Sequence, residues 1–193
     1  MPFATAPDRA RRILVYGVTG SGKSMAAERI SASTGLPLTL ADELTWLPGW
    51  VPVAEQRQRE LFGTVVAEDR WVLDTAYGAW LDIVLPRVEL IVGLDYPRWL
   101  SLQRLIRRTL VRAIDKKPIC NGNTESLRGI FSQDSIIRWH FRSFARKRRR
   151  MRQWAAAQDG PPVLIFTRPI DLERWISRIG DTSNLGTAGP DTH

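Results

Sequence analysis

Apolar residues along this chain gather in short unbroken runs separated by longer mixed stretches, and that alternation is the first guide to its architecture. Ile13-Leu14-Val15-Tyr16, Leu38-Thr39-Leu40, Trp71-Val72-Leu73-Asp74, Leu90 to Asp95 and Val163-Leu164-Ile165-Phe166 each read as a buried strand. The stretches between them carry helical spacing: one helix continues from Met25, and others cover Glu55 to Glu68, Pro97 to Ala113 and Ser135 to Ala157. Pro97 suits a first helical turn, and Asp134 suits an N-cap. Strands that are apolar throughout and alternate with helices indicate a five-stranded parallel sheet covered on both faces, the three-layer α/β class.

The rest of the chain divides by composition. Residues 1–11 are Pro- and Ala-rich and read as a flexible start, residues 12–179 as one domain, and residues 180–193, rich in Gly, Thr, Ser, Asn and Asp, as a disordered tail. Within the domain, residues 111–134 include Lys116, Lys117, Pro118, Asn121, Gly122 and Asn123, a composition suited to a short lid over a site.

With 193 residues, 44% of them apolar, the chain can bury one substantial core, and no segment reads as a linker between two. Lys plus Arg number 28 against 20 Asp plus Glu, a net charge of +8, which implies anionic partners. Cys120 is the only cysteine, and His140 and His193 are the only histidines, so an intramolecular disulfide and a thiolate metal cluster are excluded. Neither a secretory signal nor a membrane-length apolar run is present, and a soluble, cytoplasmic, monomeric protein is the expectation.

Gly17-Val18-Thr19-Gly20-Ser21-Gly22-Lys23-Ser24 matches the Walker A phosphate-binding pattern, the P-loop, and stands where a strand passes into a helix. Backbone N–H groups of Gly17, Thr19, Gly20, Ser21 and Gly22 can converge there on one anion, helped by the positive end of the helix dipole. Lys23 can bridge β- and γ-phosphates, and Ser24 can ligate Mg²⁺. ATP and Mg²⁺ are the expected cofactors, and phosphoryl transfer needs a cradle, a metal and arginines around that loop.

The ordered set of segments resembles the nucleoside monophosphate kinase fold, and more closely the small adenylate kinase-like P-loop kinases described as DNA topology modulation (FlaR-like) proteins. The resemblance spans roughly residues 12–176. It rests on the P-loop, Asp42 to Trp50, Trp71 to Tyr77, Leu94 to Trp99 and Arg104 to Arg108. It implies an ATP- and Mg²⁺-dependent phosphotransferase acting on a small-molecule acceptor, with a nucleoside monophosphate preferred. In adenylate kinases an aspartate like Asp74 holds water on Mg²⁺, although Thr75 stands here where those kinases have glycine. The resemblance assigns Arg104 and Arg108 to ATP and likens Thr167-Arg168-Pro169 to the loop that passes the adenine ring.

Other candidates come from position and chemistry. Arg138 and Arg142, one turn apart after the lid, can close on the transferred phosphoryl. Asp95 ends a strand like a Walker B aspartate but stands where it can cap the next helix. Asp42 occupies the place where shikimate kinase-like enzymes deprotonate a hydroxyl acceptor, which suits a kinase of a small hydroxylated metabolite such as shikimate or gluconate. Trp46, Trp50 and Tyr77 can instead stack on a base, or Trp46 and Trp50 can pack around the Pro48-Gly49 turn, and Arg57 or Arg59 can grip a monophosphate. The run Arg146 to Arg150 with Arg152 leaves a third reading open, a nucleic-acid-binding ATPase or DNA topology regulator, because five successive helical cations cannot all face one pocket.

Overall fold

The computed structural model describes residues 10–115, 120–123 and 136–185. Five parallel strands form one sheet: β1 (Arg12–Gly17), β2 (Leu38–Thr39), β5 (Trp71–Leu73), β6 (Leu90–Leu94) and β7 (Val163–Phe166), in the spatial order β2-β5-β1-β6-β7. β1 is central, pairing Leu14 with Leu73 on one side and with Ile91 on the other. The chain moves to one side of β1 for β2 and β5 and then to the other for β6 and β7. The carboxyl end of β1 is therefore the switch point at which α/β sheets open a crevice.

Successive residues of β1 face opposite layers, as the pleat requires. Ile13 and Val15 pack under α1 (Lys23–Thr34) and the last helix, α7 (Pro169–Leu185), with Ala27, Ile30, Leu172, Trp175 and Ile176. Leu14 and Tyr16 face α3 (Glu55–Ala67) and α6 (Ile136–Ala156), with Phe62, Val66, Trp80 and Met151. Phe62 stacks on Trp80 with ring centroids 3.5 Å apart. At Gly93 a Cβ would stand 2.6 Å from Met151 Sδ, so the missing side chain lets α6 lie directly on β6.

The elements between β2 and β5 and beyond β7 differ from the sequence expectation. After β2 the chain forms a short helix, α2 (Ala41–Thr45), and a hairpin of β3 (Trp46–Leu47) and β4 (Val51–Pro52). Another short helix, α4 (Leu81–Val84), follows β5 and runs into a 3₁₀ turn at Leu85–Arg87. Residues 180–185, read from composition as tail, continue α7, because Trp175, Ile176 and Ile179 hold that helix against the sheet. Of the stretch read as a lid, Val111 to Asp115 end α5 (Arg98–Asp115) and Cys120–Gly122 make a 3₁₀ turn. Lys116, Lys117, Pro118 and Asp134 lie outside the described residues.

Candidate nucleotide and acceptor site

Gly17 is the last residue of β1 and Lys23 the first of α1, so the P-loop bridges strand and helix at the switch point. Gly20 has φ +80°, and a Cβ there would lie 2.3 Å from the Ser101 carbonyl oxygen and 2.9 Å from Leu105 Cβ. Only glycine satisfies both the left-handed backbone and the contact with α5. Gly22, also left-handed, immediately precedes α1. Ser21 is buried, and its Oγ has no hydrogen-bond partner among the described residues. Lys23 Nζ donates to the Val18 carbonyl at 3.1 Å, folding back over its own loop. Burial pushes the Lys23 ammonium below its ordinary pKa; the charges of Asp74 and Asp42 work against that shift, and Arg108 adds to it.

Asp74, at the end of β5, is 4% exposed and uses both carboxylate oxygens. Ser24 Oγ donates to Oδ2 at 2.6 Å, and the Ala41 N–H at the start of α2 donates to Oδ1 at 2.8 Å. A hydroxyl and a carboxylate joined in this way suit Mg²⁺, which keeps most of its waters and takes few protein ligands. No group of three or more His, Cys, Asp or Glu side chains able to hold a metal ion occurs among the described residues.

Two arginines of α5, one turn apart on one face, lie toward this loop. Arg104 Nη1 donates to the Ser21 carbonyl at 3.4 Å and lies 5.5 Å from the centre of the Tyr96 ring. Arg108 is near enough to Lys23 to depress its pKa. Burial drives the Tyr96 phenol up to about 12, so it stays a neutral, apolar surface under Arg104. Thr167 is exposed in the turn after β7, and its neighbour Arg168 forks onto Asp171 at 2.7 and 2.9 Å.

The residues read from the sequence as acceptor candidates lie on α2, the hairpin and the segment after β5. Asp42 is the second residue of α2 and accepts the Tyr77 hydroxyl at 2.8 Å. Trp46 and Trp50 meet edge to face at 5.8 Å across the Pro48-Gly49 turn. Asn121 Nδ2 donates to the carbonyls of Glu43 and Trp46 at 2.8 and 2.6 Å, while Asn123 accepts from the Trp50 N–H at 2.8 Å and donates to Leu47 O at 3.0 Å. The 120–123 segment thus clasps the hairpin through its backbone. Arg57 and Arg59 are engaged by carboxylates: Arg57 pairs with Glu60 at 2.9 Å, and Arg59 forks onto Asp82 at 2.9 and 2.8 Å.

α6 supplies what the sequence reading did not single out. His140 is fully buried and its Nδ1 donates to the Thr19 carbonyl at 2.9 Å, an assignment forced by the carbonyl being an acceptor only. Seven residues on, and so on the same helix face, Lys147 is 8% exposed within the cluster of Lys23, Asp42 and Tyr77, 5.9 Å from the Tyr77 ring. Its pKa falls to about 7, first from burial and then from the charge of Lys23, with Asp42 opposing. No carboxylate lies within ion-pair distance of its ammonium among the described residues. The one lysine in a run of arginines, at i+7 from a histidine, was the available signal. Arg142, two residues past His140 and so turned roughly 200° away, is exposed on the far side of α6. The side chain of Arg138 lies outside the described residues.

The remaining cations of the run separate. Arg150 lies near enough to Tyr16 to oppose the rise that burial gives its phenol pKa, Arg146 lies 5.7 Å from the Trp139 ring, and Arg148 and Arg152 pair with Asp95 at 2.6 and 3.0 Å. Asp95 is thus engaged by two guanidinium groups of α6 in place of the helix-capping role its position suggested; Tyr96 and Pro97 intervene before α5 begins at Arg98.

No protein-family model matches the chain, and no curated protein sequence does. Solved structures do. A shikimate kinase from Acinetobacter baumannii in complex with shikimate aligns with TM-score 0.54 at 13% identity, over 94% of this chain and 97% of that one. A deoxyadenosine kinase from M. mycoides with dCMP and dCDP bound gives 0.52 at 12%, over 90% and 99%. A gluconokinase from Sinorhizobium meliloti 1021 gives 0.50 at 16%, over 92% and 97%. No described helix is long and apolar enough to cross a membrane. Five parallel strands around a P-loop, aligned end to end with these structures, give the chain the fold of the small P-loop kinases.

Proposed function

We propose that the chain is an ATP- and Mg²⁺-dependent phosphotransferase that moves the γ-phosphoryl group to a hydroxyl of a small acceptor. One observation carries this reading: Asp42, held by the Tyr77 hydroxyl at 2.8 Å, lies within electrostatic reach of Lys23 and Lys147 at the P-loop. The backbone cradle, Lys23, Arg104 and Arg108 would hold the triphosphate and spread its developing charge. Mg²⁺ on Ser24, with water held by Asp74, would neutralise β- and γ-oxygens. Asp42 takes the acceptor proton as its oxygen bonds to the γ-phosphorus and the bond to the β–γ bridging oxygen breaks, releasing ADP. The Tyr77 hydroxyl orients the carboxylate for that task.

A nucleoside monophosphate is the second reading, supported by Trp50, 38% exposed on the hairpin, as a surface for a base. It is the weaker one, since Arg57 and Arg59 are already paired with carboxylates. Release of ADP from Mg·ATP, with nucleoside monophosphates, nucleosides, sugars and small hydroxy acids offered singly, separates them. Asp42→Asn should lower turnover on a hydroxyl acceptor by about 10²–10⁴-fold with ATP affinity nearly unchanged; full activity in that variant refutes base catalysis at Asp42.

A further inference from the structure

On the flank of α6 turned toward β6 and β7, four arginines line one open groove of about 580 Å³: Arg98 at the start of α5, and Arg148, Arg149 and Arg152 of α6. This groove is not the P-loop crevice. Asp95 and Tyr96 are successive residues and point to opposite layers. Tyr96 belongs with α1 and α7, where Arg104 lies over its ring, whereas Asp95 points to α6 and pairs with Arg148 and Arg152. Lys147 and Arg150 lean toward the P-loop and β1, and Arg148 and Arg152 toward the groove.

The charge there is far from balanced. Asp95, its side chain 4% exposed, is the one carboxylate paired with any of the four among the described residues, and it engages two of them. Arg98 and Arg149 have no acidic partner among the described residues. The groups are also ordered. Arg98 lies 4.5 Å and Arg148 6.0 Å from the centre of the buried Phe144 ring. Stacking uses the flat face of a guanidinium and leaves its N–H edges for an oxyanion. The ring itself is 4% exposed, so the groove offers no platform for stacking a base. Its recognition is by charge and N–H forks alone.

We propose that this groove is a second anion site, independent of the P-loop, that binds a compact oligophosphate. Phosphate oxygens accept paired N–H bonds from guanidinium forks, and several adjacent phosphates match several cations gathered in one groove better than a single carboxylate does. A volume of about 580 Å³ is that of a small-ligand site.

The test is calorimetric titration with inorganic tripolyphosphate, without Mg²⁺, on the full chain carrying Lys23→Ala to disable the P-loop. This variant should still bind tripolyphosphate. Adding Arg98→Gln and Arg149→Gln, which leave both ion pairs of Asp95 in place, should weaken that binding by about tenfold or more while leaving the melting transition where it was. In the otherwise native chain the same two changes should leave ATP binding unaltered. If the triple variant melts early, Arg149→Gln alone, at an exposed residue, gives the same reading. Loss of all tripolyphosphate binding with Lys23→Ala, or undiminished binding after the arginine changes, overturns the proposal. So does a single-stranded oligonucleotide that binds more than about tenfold tighter than tripolyphosphate through these arginines, which would make the groove a nucleic-acid surface.

Discussion

His140 Nδ1 donates to the carbonyl of Thr19, at 2.9 Å, so α6 holds the P-loop by its backbone. The other ring nitrogen, Nε2, is buried with no hydrogen-bond partner among the described residues. A neutral imidazole tolerates that environment, and burial lowers the pKa of His140, helped by the nearby charges of Arg98 and Lys147. With its folded pKa below the unfolded value, the histidine contributes stability that is present above about pH 6.5 and lost as pH falls through the folded value.

His140→Leu should therefore flatten the acid side of the stability profile, measured as melting temperature between about pH 5 and 7. Its cost at neutral pH should be small, about 1 kcal/mol for one hydrogen bond, with the KM for ATP raised several-fold by the released loop. An unchanged acid limb would remove His140 from this role.

Lys147 affects stability over a more alkaline window. Its folded pKa of about 7 lies below the unfolded value near 10.4, so between those values the unfolded chain binds more protons and stability rises with pH. Lys147→Met should abolish that rise and should melt higher than the native chain at pH 6 by about 3 °C or more, the shift expected for ~1 kcal/mol in a domain of this size. Equal slopes in both proteins above pH 7 would show that Lys147 is not the group titrating.

Lys23→Ala should abolish phosphoryl transfer by removing charge from the phosphate end of the loop, a loss of about 10²–10³-fold or more in ADP release. Turnover at the native rate would refute the P-loop assignment.

Asp74→Asn keeps the shape of the Ser24 contact but removes its charge. The Mg²⁺ concentration needed for half-maximal ADP release should rise about 10- to 100-fold, while metal-free ATP binding, followed by calorimetry, should change little. Unaltered Mg²⁺ dependence would separate Asp74 from the metal.

Gly20→Ala sets a Cβ against the Ser101 carbonyl and α5 in a left-handed backbone. Strain of roughly 1–2 kcal/mol from the backbone alone should lower the melting temperature by about 4 °C or more and weaken ATP binding with it. A variant as stable as the native chain would mean that α5 yields at this contact.

What the sequence by itself determined was what local chemistry encodes. Five apolar runs mark five strands because a strand buried on both faces must be apolar throughout, and the P-loop is legible because a phosphate cradle needs glycines and a lysine at fixed spacing. That Arg104 and Arg108 share a helix face was also legible, since residues four apart do so; that this face turns to the loop was not. The fold decided which way long side chains turn and with whom they pair. Lys147 was hidden in a run of cations because only the docking of α6 on β1 and β6 selects its inward face, marked by His140, Phe144, Lys147 and Met151. Asp95 looked like a cap and instead meets Arg148 and Arg152, more than fifty residues away; Arg57 and Arg59 looked available for phosphate and are taken by Glu60 and Asp82. The β3–β4 hairpin has two-residue strands too short to leave a period, and residues 180–185 are helical although their composition favours a tail, because α7 is held by its packing on the sheet. Pairings across such separations depend on tertiary geometry that no window of local sequence contains.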